Sequence, residues 1–346
     1  MNFASDNTAP VHPKIFAALE AANQGHAMAY GNDAIAKRLE RRFADLFERP
    51  CAVFPVATGT AANALSLAAM CPPWGSIYCH PQAHIDDDEC GAPEFYTGGA
   101  KLVGVEGANG KLTAHGLDAA LGGAGTHGVH HVQPSAVSLT NATEAGTVYG
   151  IGEVAAIADV ARRRKLKLHL DGARFANALV HQNASPADAT WRAGVDILSF
   201  GATKNGCMAA EAIVVFDPAL ADTLAFRRKR AGHLFSKMRY LAAQLDAYLD
   251  GDLWLDMARH SNALAKRLSA GLAALPGARL AHPVEANEIF VDLPEAAVAA
   301  LEKAGFVVYR WNGPGTTLLR LVVSWSSNAD DADRLVATAG AALTST

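Results

Sequence analysis

The chain is expected to adopt an α/β fold, with a mostly parallel seven-stranded sheet covered by helices and a smaller α+β domain at its C-terminal end. Three observations predict it. Between Val53 and Phe216 short apolar, β-prone runs alternate with helical patterns, as in a sheet covered on both faces. From Pro218 to Ser269 the pattern is helical, and strand-like runs return only after Pro276-Gly277. At 346 residues, half of them hydrophobic, the chain exceeds one small core and suits a large domain with a smaller companion.

The seven strand candidates are residues 53–56, 76–79, 101–105, 136–139, 166–170, 197–200 and 212–216, and 151–164 carries the clearest helical period. Later runs at 289–293, 307–311 and 318–324 supply strands for the small domain. We expect residues 1–20 to join that small domain, 21–245 to form the large one and 246–346 to complete the small one. The stretch 122–128, GGAGTHG, reads as a flexible loop, because it sits in no strand-to-helix turn. In open α/β sheets ligands bind beyond the C-terminal strand ends, so residues there are weighed first.

Three such ends carry chemistry. The segment 195–211, VDILSFGATKNGCMAAE, places Lys204 where an apolar strand breaks at Asn205-Gly206, which suits an amine that forms a Schiff base. Upstream, LKLHLDGAR (166–174) delivers Asp171 at the end of an alternating strand. A strand-end carboxylate followed by a strand-end lysine is what pyridoxal phosphate (PLP) requires: an amine for the aldehyde and an acid that keeps the ring nitrogen protonated. The phosphate remains. VFPVATGTAANALSLAA (53–69) reads as a strand, a turn at Thr58-Gly59-Thr60 and a helix whose N-terminus offers unpaired N–H groups, with two hydroxyls beside them. It lacks the lysine and spacing of a P-loop.

The ordered set resembles the fold-type I PLP enzymes, and within them the threonine aldolase and β-eliminating lyase family. It runs from Ser5-Asp6-Asn7 through Tyr30-Gly31-Asn32-Asp33, Thr58 to Asn63, Ala83-His84, Asp171 to Arg174 and Thr203 to Gly206, and ends at Arg320-Leu321-Val322. The resemblance implies cleavage of L-threonine, L-allo-threonine and related β-hydroxy-α-amino acids, extending to phenylserine, into glycine and an aldehyde. It implies PLP held by Lys204, Asp171, Thr58, Gly59, Thr60, His84, Arg174, Thr203 and Asn141, the last beside the ring. It further implies that His84 stacks on that ring and that Arg320, an arginine inside the apolar strand LLRLVV, clamps the substrate carboxylate with help from Ser5, Asn7, Tyr30 and Arg174. Glu144 stands where many bacterial relatives carry a histidine, so His84 and Glu144 are both candidates for the catalytic base. The alternatives are a β-eliminating lyase or an aminotransferase, which would use the same lysine and aspartate.

Composition narrows the remaining classes. A formal net charge of −4 supplies no basic field for nucleic acid; Arg227-Arg228-Lys229-Arg230 by itself reads as a solvated helical face, and the resemblance implies a phosphate or subunit contact. The five cysteines, Cys51, Cys71, Cys79, Cys90 and Cys207, are irregularly spaced without any CxxC, so reduced thiols are expected, with Cys207 nearest the chemistry. Asp86-Asp87-Asp88-Glu89 is read as the acidic start of a helix, and no metal is assigned. No apolar run approaches a membrane span, and the expected setting is the cytoplasm. By resemblance, Tyr30 and Arg239 reach toward a neighbouring subunit, which predicts a homodimer or a tetramer of dimers.

Overall fold

The computed structural model describes residues 1–344. Seven strands build the main sheet: β1 (Ala52–Val56), β2 (Gly75–Cys79), β3 (Lys101–Gly104), β4 (Gln133–Thr140), β5 (Lys167–Gly172), β6 (Ile197–Gly201) and β7 (Glu211–Val215). Their order is β1-β7-β6-β5-β4-β2-β3. The pairs β2/β3, β2/β4, β4/β5 and β5/β6 are parallel, whereas β7 runs antiparallel to both β6 and β1. The exception follows from chain length. Too few residues separate β6 from β7 for a crossover helix, so the chain must fold straight back. Lys204 lies in that short return.

Burial accounts for the strand sequences. β2, β6 and β7 are buried along their whole length, as expected for central strands covered by helices on both faces. The helix Ala34–Leu46 begins at Asp33, whose carboxylate accepts from Ile35 N at 3.0 Å and Ala36 N at 2.9 Å, and it buries Leu39 and Phe43. Phe43, Phe47, Phe175, Phe200 and Trp254 interlock in the large core.

A second sheet, ordered β10-β11-β9-β8, is built from β8 (Arg279–Leu280), β9 (Glu288–Asp292), β10 (Tyr309–Arg310) and β11 (Leu318–Val322). It has its own core, including Leu268, Ile289, Leu301, Leu319 and Leu335. Phe3 belongs to this core, and its backbone bonds to Val307 and Val322 tie the first residues of the chain to the small sheet. The long helix Leu253–Ala273 serves both cores, with Trp254 and Met257 in the large one and Leu264, Leu268 and Leu272 in the small one. The strand expected over 307–311 shrinks to two residues. Asn312, Gly313 and Gly315 all take positive φ directly after it, which ends the pairing, and Val307 instead bridges Asn2.

Candidate active site

Register brings the chemistry to one edge of the main sheet. Val56 and Gly201 both pair with Glu211, Asp171 pairs with Thr140 and Ser199, and Gly172 pairs with Phe200. The ends of β1, β4, β5 and β6 and the start of β7 therefore face one space. A cavity of about 300 Å³ lies there, bounded by Thr58, Gly59, Thr60, Asn63, His84, Glu89, Glu144, Asp171, Arg174, Thr203, Lys204 and Glu211. An adjoining cavity of about 310 Å³ shares Asn7, His84, Glu144, Arg174 and Lys204, and adds Ser5, Asp87, Asp88, His282, Trp311 and Arg320.

One wall is a helix N-terminus. β1 runs into Thr58, whose hydroxyl accepts from Ala61 N at 3.1 Å and caps the helix Gly59–Met70. That bond uses one unpaired donor and leaves the N–H groups of Gly59 and Thr60 for an anion. A Cβ added at Gly59 would meet nothing within 4 Å, so the approach is open.

Asp171 stands opposite, buried, with Oδ1 accepting from Ala173 N at 3.0 Å and Oδ2 from Asn63 Nδ2 at 2.7 Å. Lys204 sits in the turn Thr203–Asn205, which is fixed from behind. Asn205 donates to the Tyr248 hydroxyl at 2.8 Å and to Trp254 O at 2.9 Å, and Gly206 takes φ +108. Lys204 makes no ion pair among the described residues. Thr203 Oγ accepts from Ala210 N at 3.1 Å, closing the same turn.

The acids around these groups differ in state. Glu144 Oε1 accepts from His84 N at 2.8 Å, and its buried Oε2 has no partner. Burial, with the Asp171 charge added, pushes the Glu144 carboxyl up to about 7. Glu211 accepts from Ala202 N at 2.7 Å, and burial likewise raises it to about 7. His84 is raised as well, but by a different cause: its bond to Glu89 outweighs the opposing effect of burial.

Arg174 is committed to protein partners. It holds Asp6 through Nε at 2.8 Å and Nη2 at 3.0 Å, and lies 3.0 Å from Glu288 Oε2 in a charge contact that lacks hydrogen-bond geometry. Burial is the largest single influence and favours a neutral Asp6, but the Arg174 and Lys204 charges and the bonds from Arg174 and Asn287 together hold that carboxyl below its ordinary value. Arg320 is the freer cation: Nη2 donates to Ala4 O at 3.3 Å, Nε has no partner, and the guanidinium lies over the Tyr309 and Trp311 rings at 5.3 and 5.4 Å.

Twelve of the fourteen residues singled out from the sequence line these two cavities, namely Ser5, Asn7, Thr58, Gly59, Thr60, His84, Glu144, Asp171, Arg174, Thr203, Lys204 and Arg320. Asn141 and Tyr30 do not. Asn141 is buried outside both, its amide donating to the Tyr149 carbonyl at 3.1 Å and accepting the Tyr149 N–H at 3.0 Å. Tyr30 is half exposed, its N–H bonded to Ser236 O and its ring 4.9 Å from Lys229 Nζ. Cys207 is buried against Gln244 and lines neither cavity, and all five cysteines are free thiols. The acidic run also divides differently from expectation. Asp86 and Asp87 lie in the short helix His84–Asp87, but Glu89 turns inward and its side chain is wholly buried.

Asn63, Glu89 and Glu211 escaped the sequence reading. Asn63 had a signal: four residues after Gly59 it lies on the same face of the helix, the one polar amide in an alanine-rich run. Glu89 was hidden among three neighbouring acids.

The family model for beta-eliminating lyases matches residues 2–296. The chain belongs to that family. It is 44% identical to a low specificity L-threonine aldolase of Pseudomonas aeruginosa, covering 95% of this chain and 94% of that one. A second low specificity L-threonine aldolase, from a Pseudomonas species, is 42% identical over 94% and 93% of the two chains. Among solved structures, the threonine aldolase of Leishmania major superposes with a TM-score of 0.92 at 31% identity, covering 98% of each chain. Fold-type I members of this family depend on PLP, and the residues present fit that group. An open helix N-terminus suits its phosphate, a buried carboxylate its ring nitrogen, and an unpaired lysine its aldehyde.

Proposed function

We infer that the chain is a PLP-dependent aldehyde-lyase of the L-threonine aldolase type. It cleaves L-threonine, L-allo-threonine and related β-hydroxy-α-amino acids, phenylserine among them, to glycine and an aldehyde. The observation that carries the reading is the meeting of Lys204, Asp171, His84 and the Gly59 helix start on one cavity whose neighbour holds Arg320. PLP, when bound, supplies an electron sink for the pair released from the Cα–Cβ bond.

The residues then take distinct roles. Thr58, Gly59, Thr60 and Thr203 bind the phosphate, Asp171 keeps the ring nitrogen charged, and Lys204 is the covalent anchor. Arg320 orients the substrate carboxylate through its unpaired Nε, with Ser5 and Asn7 at the same mouth. Arg174 adds positive potential rather than a free fork, since Asp6 already occupies it in a bidentate contact. His84 stacks on the ring and accepts the β-hydroxyl proton, while Glu144 holds its backbone. Incubation with threonine, allo-threonine and phenylserine tests the reading: glycine and the matching aldehyde must appear in equal amounts. Ammonia or a keto acid in place of the aldehyde would assign the chain to a β-eliminating lyase or an aminotransferase.

We also propose a homodimer or a dimer-based tetramer, with Tyr30 and Arg239 serving a neighbouring subunit's site. Met28, Tyr30, Phe95 and Phe226 are large exposed apolar side chains, which supports a covered face. For the chain's organisation we propose a large unit, 21–245, and a small one, 246–346 joined by 1–20, bridged by the helix Leu253–Ala273. No described helix is long and apolar enough to cross a membrane, and a cytoplasmic setting is proposed.

A further inference from the structure

A line of hydrogen bonds runs beneath the candidate site. His84 Nδ1 lies 2.9 Å from Glu89 Oε1, that same oxygen lies 2.8 Å from Asn63 Nδ2, and Asn63 Nδ2 lies 2.7 Å from Asp171 Oδ2. An amide nitrogen has two hydrogens, and here each faces a carboxylate. The reversed amide would aim its oxygen at two acids, so the neighbours fix its orientation. Asn63 Oδ1 and Glu89 Oε2 are left buried and unpaired, which is costly unless the paired atoms are needed. His84 Nε2 has no partner among the described residues, and His84 borders both cavities.

We infer that Glu89 and Asn63 are positioning residues, which hold His84 in the Nδ1–H tautomer with Nε2 bare toward the substrate and link its orientation to Asp171. The chemistry is that of a buried acid fixing a catalytic imidazole: the acid sets tautomer and direction without losing its own charge. Asn63 extends the line one step. By holding Asp171 Oδ2 and Glu89 Oε1 with one nitrogen, it fixes the distance between the ring-nitrogen partner and the support of the base, so the two cannot drift separately. The groups facing His84 are Glu89, Glu144, Asp171, Lys204, Arg174, Asp87 and Asp88, and of these only Glu89 bonds to its ring.

This inference rests on His84 acting as the base, and its test is independent of that role. In the cofactor-free protein, the 15N shifts of the His84 ring, assigned by difference from His84→Asn, report the tautomer directly. Above its pKa the wild-type ring is expected to be protonated at Nδ1. In Glu89→Gln, whose amide oxygen can still accept from Nδ1, the tautomer should persist while the ring pKa falls as the neighbouring charge disappears, and in Glu89→Leu the single tautomer should be lost as well. Asn63→Ala should keep the tautomer but broaden the ring resonances, and with PLP added it should shift the pH midpoint of the cofactor absorbance, which a fold defect alone would not do. On threonine, Glu89→Gln should lower kcat at least tenfold with little change in KM. A wild-type ring protonated at Nε2, or a Glu89→Leu ring with unchanged tautomer and pKa, overturns the assignment even if aldolase activity is found. A correct tautomer in a protein that releases no aldehyde would instead sink only the functional reading.

Discussion

Glu144 grips the backbone of His84, not its ring: Oε1 accepts the His84 N–H at 2.8 Å, while the imidazole leans on Glu89. The two candidates for the base are thus unequal. Removing the carboxylate from Glu144 would disturb where the His84 segment sits, whereas on the proposed reading removing the imidazole would remove the proton acceptor itself. His84→Asn is therefore expected to lose about 100-fold or more in kcat on every β-hydroxy substrate, within the range usual for a general base. Binding of glycine, which has no hydroxyl to deprotonate, should persist. Glu144→Gln should lose less. Steady-state rates beside a glycine spectral titration decide it, and full activity in His84→Asn with an inactive Glu144→Gln would exchange the roles.

On the proposed reading Lys204 anchors the cofactor and Asp171 keeps its ring nitrogen charged, and substitution separates the two roles. Lys204→Ala should abolish both turnover and the visible absorbance of the bound cofactor, because no other lysine lines the cavity. Borohydride-stable labelling surviving in that variant would place the anchor elsewhere. Asp171→Ala should weaken PLP binding and slow turnover by orders of magnitude through loss of the ring nitrogen's counter-charge, and near-normal rates would refute that role.

These two residues were legible in the sequence because one ends an alternating strand and the other follows an apolar one, and the sheet's parallel pairs then bring such ends together. The Thr58 turn was legible for the same reason. What sequence could not show was the side chain's second partner. Nothing in the sequence tells that the Asn141 amide pairs with the Tyr149 backbone, or that Arg174, expected to assist the carboxylate clamp, is held by Asp6 from far away in the chain. Glu89 failed for a geometric reason. Its three acidic neighbours face solvent or the open cavity, and only the turn after the short His84–Asp87 helix rotates Glu89 inward.

Glu211 gives a pH dependence with a definite sign. Its carboxyl is raised by burial from the ordinary 4.5 to about 7, so the folded chain holds a proton there that the unfolded chain releases. The folded state binds more protons across that interval, and its stability therefore falls as pH rises from about 4.5 through about 7. A shift of this size corresponds to roughly 3 kcal/mol above the upper value. Glu211→Gln keeps an oxygen for Ala202 N and never ionises. In cofactor-free protein its urea midpoint should exceed that of the wild type at pH 8 and match it near pH 4.5. An equal difference at both pH values would show that packing, not ionisation, sets the effect.

If a neighbouring subunit supplies Tyr30 to the site, activity must follow assembly. Dilution or a charge placed at an exposed apolar side chain, such as Phe226→Asp, should yield monomers by light scattering with turnover reduced in proportion, and an active monomer would contradict the proposal.

Arg320 offers the sharpest test of substrate binding. An arginine inside a buried strand pays a desolvation cost that two aromatic faces and one carbonyl offset only in part, and its Nε remains without a partner beside the second cavity. A substrate carboxylate would complete it. Arg320→Ala should raise KM for threonine by about 10- to 100-fold, the usual worth of a hydrogen-bonded charge, while leaving the affinity for PLP unchanged, since Arg320 does not border the cofactor cavity. Arg320→Lys should recover only part of that loss, because a point charge cannot reproduce the planar fork. The two effects are separable by titrating PLP into cofactor-free protein and then measuring rates against threonine. A variant that lost cofactor affinity as severely as substrate affinity would show that Arg320 supports the fold of the site and not the substrate.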